Sequence, residues 1–386
     1  MLFRPTVAAV LLAACGGGGG DGGSSTGYAL TSVQSVAYTA NITIGSQPFD
    51  VIVDTGSTTL AIAGTTCGNC NVAPEYTPGS GASDQHSTSN AIYGDNTMWD
   101  AENFSDKVSI TGDTTLTMRF AEITSQSGFF RAGFPNQGIL GFGGQTIAAP
   151  GTDSYIAQRM LAGLDDNFSF QLCSENGTLW FGAPDSDAEA GAEQRTPMIA
   201  MTGTQPYYEL GLNSVAVGSA SIGVSGDAVV DTGTSIMVMS TSAVNAMIQQ
   251  ITSSPGYAAA FGSQPLSGNA ANIDCLTSSM TPDQIDAALP PLAIALPDTN
   301  NGSFTLTVPP TQSYFIPISG QYCFGVAAVD GLPTILGDAI LRAFVTEFDL
   351  DNKQFALAPQ KGCAAPSFVR DRTGHAPWRI LGVPAT

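Results

Sequence analysis

The chain contains a stretch of itself twice. VIVDTGSTTLAI, with Asp54, recurs as AVVDTGTSIMVM, with Asp231, 177 residues later. Downstream of each comes a second shared element, QGILGFG with Gly141 and PTILGDA with Gly337, after 87 and 106 residues. Two elements repeated in the same order predict a duplicated molecule of two lobes built on one plan. In each copy an apolar strand ends in Asp-Thr-Gly: the strand delivers a carboxylate at its end, and the glycine lets the backbone turn sharply after it. Pseudo-symmetric lobes would bring Asp54 and Asp231 face to face in a cleft. Two carboxylates at hydrogen-bonding distance cannot both ionise, so they share a proton. One can then act as general base on a trapped water while the other protonates the carbonyl oxygen of the bond under attack.

The rest of the chain narrows the class. Short Val/Ile/Thr/Phe-rich segments punctuated by Gly, Pro and Asn predict an all-β protein with few helices, placed at Asp153–Leu161, Ser242–Ile251 and Pro282–Leu289, the last capped by Thr281. With 32 Asp+Glu against 12 Lys+Arg the chain repels phosphate backbones, which argues against a nucleic-acid partner. At 43% hydrophobic and 11% charged it is not a disordered acidic tail.

Residues 1–14, MLFRPTVAAVLLAA, read as a secretory signal. Leu12-Ala13-Ala14-Cys15 resembles a bacterial lipoprotein signal, with Cys15 lipidated and residues 15–27 a Gly/Ser tether. That reading places the protein in the bacterial cell envelope, anchored to a lipid bilayer, with Gly16 favouring the outer membrane. Gly23–Gly27 also matches G-x-S-x-G, but no strand precedes it, so a serine-hydrolase reading fails. The remaining six cysteines suggest three disulfides, for which spacing alone allows fifteen pairings. Cys67-x-x-Cys70 lacks the βαβ surroundings of a thioredoxin-like site, and His86 and His375 lie near no cysteine pair, so no metal is expected. Five Asn-x-Ser/Thr triplets, at Asn41, Asn103, Asn167, Asn176 and Asn301, are expected to carry no glycan.

From Tyr28 to Cys363 the chain resembles the pepsin family (A1) of aspartic endopeptidases, whose paired carboxylates follow the shared-proton logic above. The resemblance rests on VAYTANITIGSQPFDVIVDTGS, on Tyr93-Gly94 at the flap position, on YYELGLNSVAVG, and on PTILGDAILRAFVTEFDLDNKQFALAP. It implies the bilobal acid-protease fold, with an N-terminal lobe over 28–190, a C-terminal lobe over 191–363, an interlobe connection near Pro184–Arg195 and a C-terminal extension over 364–386. The extension, with Arg370, Arg372 and Arg379, either docks on the acidic body or forms a loose tail.

Carried over position by position, Asp54 and Asp231 are the catalytic pair. Thr55 and Thr232 interlock between the lobes, Gly56 and Gly233 approach the carboxylates, and Ser57 and Thr234 flank them as hydroxyl partners. Tyr93 and Gly94 form the flap. The family pattern also implies disulfides Cys67–Cys70, Cys275–Cys323 and Cys173–Cys363. The expected activity is cleavage of peptides between bulky apolar residues at acid pH by a monomer, with no metal or organic cofactor. The cleft would take about six to eight substrate residues as a strand. A catalytically silent binding or inhibitor protein on the same fold is the alternative, and a glycosidase is a remote one because it needs a wider carboxylate separation.

Three departures from the family stand out. Ala61 occupies the position of a Trp that in pepsin-like enzymes hydrogen-bonds the flap Tyr; Trp99 either replaces that partner or only packs the hairpin. Asp95, Asp100 and Glu102 make the flap acidic, so closure is expected to ease on protonation. No activation segment is visible between Cys15 and the first enzyme-like strand, and activity without zymogen processing is expected. Phe129, Phe130 and Phe134 are either cleft wall or core.

Overall fold

Both Asp-Thr-Gly strands are apolar and β-branched where they approach the aspartate, as suits strands buried on both faces. A computed structural model describes residues 26–362, apart from 34–35, 132–133 and 202–205. In it the strand Gln47–Asp54 runs parallel to Gly138–Gly141, with Asp54 beside Gly141. The strand Ala220–Val230 runs parallel to Thr334–Leu336, with Val230 beside Leu336. The second shared element of each repeat is therefore the parallel neighbour of the first. Leu60–Ala63 and Met237–Met239 then pair antiparallel with those same neighbours. A Cβ on Gly141 would stand 2.3 Å from the Thr58 carbonyl carbon, and one on Gly337 2.2 Å from the Thr234 oxygen. The recurring Ile-Leu-Gly is thus a close approach of two backbones, made once in each lobe.

The two halves also share a sheet. Its strands run in the order Gly27–Ser32, Asn176–Phe181, Phe168–Leu172, Phe344–Asp349, Gln354–Pro359 and Gln194–Ile199, antiparallel throughout. The first strand starts at Gly27, one residue earlier than the sequence suggested. Phe168 stacks on Phe348 across the seam at 4.6 Å between ring centroids, so an aromatic layer joins the lobes as well as the ladder. A large apolar core continues through both lobes, and a second cluster of Tyr93, Trp99, Phe129, Val229, Ile236 and Ile335 lies toward the cleft.

Helices are few and short, as expected. Tyr155–Leu161 begins two residues later than predicted, because Ser154 takes the N-cap and accepts from the Ala157 N–H. Thr241–Ser253 is capped by Ser240. Pro282–Ala288 carries a full capping box between Thr281 and Gln284. The expected connection near 184–195 contains a single 3₁₀ turn, Ser186–Ala188, before the strand Gln194–Ile199 enters the shared sheet.

Cys67 is bonded to Cys70 and Cys275 to Cys323. Cys363, the expected partner of Cys173, lies outside the described residues, as do the signal-like residues 1–14, Cys15, the tether up to residue 25 and the extension 364–386. No helix among the described residues is long and apolar enough to cross a membrane.

Candidate active site

Asp54 and Asp231 meet at the pseudo-two-fold, both fully buried. The threonines that follow them cross over. Thr55 Oγ1 donates to the Val230 carbonyl at 2.8 Å, and Thr232 Oγ1 donates to the Val53 carbonyl at 2.9 Å. Each hydroxyl also accepts the other threonine's N–H, at 3.2 and 3.0 Å. Both threonine side chains are thus committed to the opposite lobe, which fixes the strand ends that carry the carboxylates.

The carboxylates are held in matching frames. Gly56 N–H donates to Asp54 Oδ1 at 2.8 Å and lies 3.1 Å from Asp231 Oδ1; Gly233 N–H donates to Asp231 Oδ1 at 2.8 Å. The outer oxygens accept from hydroxyls: Ser57 Oγ to Asp54 Oδ2 at 2.5 Å, and Thr234 Oγ1 to Asp231 Oδ2 at 2.6 Å. Glycine is required at both turns. A Cβ on Gly233 would stand 2.2 Å from Asp54 Oδ1, and one on Gly56 2.6 Å from Asp231 Cγ.

Burial raises both carboxyls above the ordinary carboxylate range. The hydrogen bond between them separates the two: it pulls Asp54 down, and with the Asp54 charge it pushes Asp231 further up. The pair is thus suited to holding a single shared proton. All eight residues of the two motifs that the sequence singled out come together here.

Two groups that sequence reasoning did not single out join them. Half-buried Tyr207 feels both carboxylates; burial first, then the charges of Asp231 and Asp54, push its hydroxyl up to about 12. Its only signal was the Tyr-Tyr doublet that opens a strand already assigned to the second lobe. Asp338, directly after Gly337, is fully buried with neither oxygen hydrogen-bonded, and burial raises it well above the carboxylate range despite nearby Arg342.

Over the site hangs a hairpin of Ser83–Ile92 and Met98–Ile110, with Tyr93 and Gly94 at its tip. Trp99 Nε1 donates to the Tyr93 hydroxyl at 2.9 Å, and Trp99 is wholly buried. It both packs the hairpin and supplies the hydrogen bond that Ala61 cannot. Tyr93 also stacks on Phe129 at 5.5 Å, and Phe129, Phe130 and Phe134 are all buried in the same apolar cluster. Those phenylalanines are core beneath the flap.

Asp95, expected to oppose closure while charged, is instead paired: Arg131 Nη2 lies 2.9 Å from its Oδ2. Two cavities flank the flap tip. One of about 290 Å³ is lined by Gly56, Ser57, Ile92, Tyr93, Trp99 and Ile147. The other, of about 470 Å³, runs from Asp95 and Arg131 to Ile236, Asn269 and Val329 of the second lobe. An extended chain passing beneath Tyr93 would lie between them.

Residues 37–360 match the model of the eukaryotic aspartyl protease family. An aspartic protease of Phaffia rhodozyma is 32% identical over 231 residues, covering 58% of this chain and 56% of that relative. Cathepsin E of Rattus norvegicus is 28% identical over 362 residues, 86% of this chain and 81% of the relative. Pepsin A of Rhinolophus ferrumequinum is 28% identical over 349 residues, with 86% and 83% covered.

Proposed function

Because the chain belongs to the eukaryotic aspartyl protease family, we propose that it is an endopeptidase that cleaves extended peptides between bulky apolar residues at acid pH through Asp54 and Asp231. The observation that carries this reading is the symmetric hydrogen-bond frame around the buried, adjacent pair, whose burial raises both carboxyls and favours a single shared proton. In this mechanism Asp54 takes a proton from a water between the carboxyls as its oxygen attacks the substrate carbonyl carbon. Asp231 gives its proton to the carbonyl oxygen, forming a gem-diol. Collapse of the diol breaks the C–N bond; the departing nitrogen takes the proton held by Asp54, and the diol hydroxyl returns one to Asp231.

Acid operation follows from the requirement for a single shared proton, since the mechanism stops once both groups ionise. The apolar lining by Ile92, Trp99 and Ile147 supports an apolar side chain on that side of the scissile bond. The lipoprotein-like signal and Cys15 support an anchored envelope location for the activity.

The test is a quenched apolar peptide assayed from strongly acid to neutral pH, with and without pepstatin, beside Asp231→Ala. Acid activity abolished by both is expected. A folded protein that cleaves nothing at any pH would replace this reading with the silent binding protein.

A further inference from the structure

The flap hairpin is fastened in an unusual way. Its second arm pairs with Leu116–Ser127 as far as Trp99 opposite Gln126, and the tip, residues 93–97, projects beyond that ladder. The Tyr93 hydroxyl takes its hydrogen bond from Trp99, six residues further along the same hairpin. That bond links the tip to the last ladder residue of the same hairpin.

Beside the stack of Tyr93 on Phe129, the tip is joined to the body by an ion pair. Asp95 Oδ1 accepts from the Thr97 N–H at 3.0 Å and from the Thr97 hydroxyl at 2.6 Å, which leaves Oδ2 aimed at Arg131, 2.9 Å away. The turn closes through Asn96, which adopts φ +62°, a left-handed conformation that asparagine tolerates. Arg131 stands on a fixed base. Gln126 Oε1 accepts from the N–H groups of Phe129 and Phe130, and Gln126 is bonded in turn to Asn69 inside the Cys67–Cys70 loop. The pair is partly shielded, with side chains 13% exposed for Asp95 and 33% for Arg131, and it lines the larger cavity.

We propose that the Asp95–Arg131 pair is a latch that sets the flap over the cleft, making both side chains positioning residues for peptide cleavage; this inference rests on the endopeptidase reading. A flap ordered before substrate arrives removes an ordering cost from binding. Loss of the latch therefore raises KM and leaves the chemical step, carried by the dyad, nearly unchanged. Salt that screens the pair has the same effect.

The experiment uses the full chain with Asp95→Asn, which keeps the acceptor for Thr97, with Arg131→Gln, with the double variant, and with Arg131→Lys, which keeps the charge. Two quantities are measured: steady-state kcat and KM at low and high salt, and hydrogen exchange of the flap-tip peptide. Asp95→Asn and Arg131→Gln are each expected to raise KM about two- to fivefold with kcat little changed. The double variant should be no worse than the worse single, Arg131→Lys should recover most of the loss, and only the charged pair should respond to salt. Tip exchange should accelerate in the same variants. Additive losses in the double variant, or unchanged tip exchange in both singles, would overturn the latch. If the protein cleaves no peptide, the exchange measurement still decides the latch, so the two readings fail separately.

Discussion

At Gly56 and Gly233 one added methyl group would press directly on the acid pair. Alanine at Gly233 would drive a Cβ to 2.2 Å from Asp54 Oδ1, so the carboxylate must move or the turn must open. Displacements of this size in a reacting group cost about 10²-fold in rate. We expect Gly233→Ala to lose at least that much kcat while the disulfides and the shared sheet persist, as circular dichroism and the assay on one sample would check. Trp99→Phe keeps a ring in the core but removes the donor to Tyr93. It should lower kcat/KM about three- to tenfold, and combining it with Tyr93→Phe should cost no more than either change alone. The aspartates, threonines and glycines were legible in the sequence because each has a twin in the other half. Trp99 was left open between two roles: reaching a hydroxyl six residues away depends on the hairpin register, which sets Trp99 opposite Ala91. Tyr207 opened a motif that marked only a second-lobe strand, and only the folded cleft shows that it faces both carboxylates.

Elements were legible where local chemistry is strong. Thr281 and Pro282 announced the helix Pro282–Ala288, and the capping box with Gln284 is formed on both sides. Thr281→Ala should cost about 1 kcal/mol of stability, read as a shift in urea midpoint without a change in activity. The helices Pro255–Phe261 and Asp338–Leu341 were missed. The second is only four residues long and wholly buried, so its apolar run carries no periodicity to distinguish it from a strand. The order of the shared sheet was equally hidden, since pairings such as Val345 with Gln171 join the ends of distant segments. One glycosylation triplet can be closed at this scale. Asn103 is fully buried in the strand Met98–Ile110, accepts from Ser89 and donates to Ser87 and to the Pro150 carbonyl. Peptide mapping after expression in a glycosylating host should find it unmodified.

At the scale of the whole molecule, two buried glutamates tie stability to low pH. Glu122 is 1% exposed with Oε1 unpartnered; burial, then Glu102 across the ladder and Asp84, raise it from 4.5 to about 7. Burial likewise raises Glu347 to about 7 against the pull of Arg195. A carboxyl whose pKa is higher folded than unfolded gives stability that is fully present below about pH 4.5 and is lost as pH rises through about 7. For Glu122 the full effect is roughly 3 kcal/mol. The melting temperature should therefore fall between pH 5 and 8, and Glu122→Gln should flatten that decline; an unchanged slope would exclude Glu122 as its source. The dyad carboxyls titrate in the same sense, and a net charge of −20 adds self-repulsion near neutrality. The crossed threonines carry this further. Their hydroxyls bind backbone of the opposite lobe at Val230 and Val53, so the rivet between the halves and the seat of the acid pair are one set of atoms. The halves therefore cannot part and leave the acid pair intact: any separation of the lobes breaks the crossed hydrogen bonds that seat it.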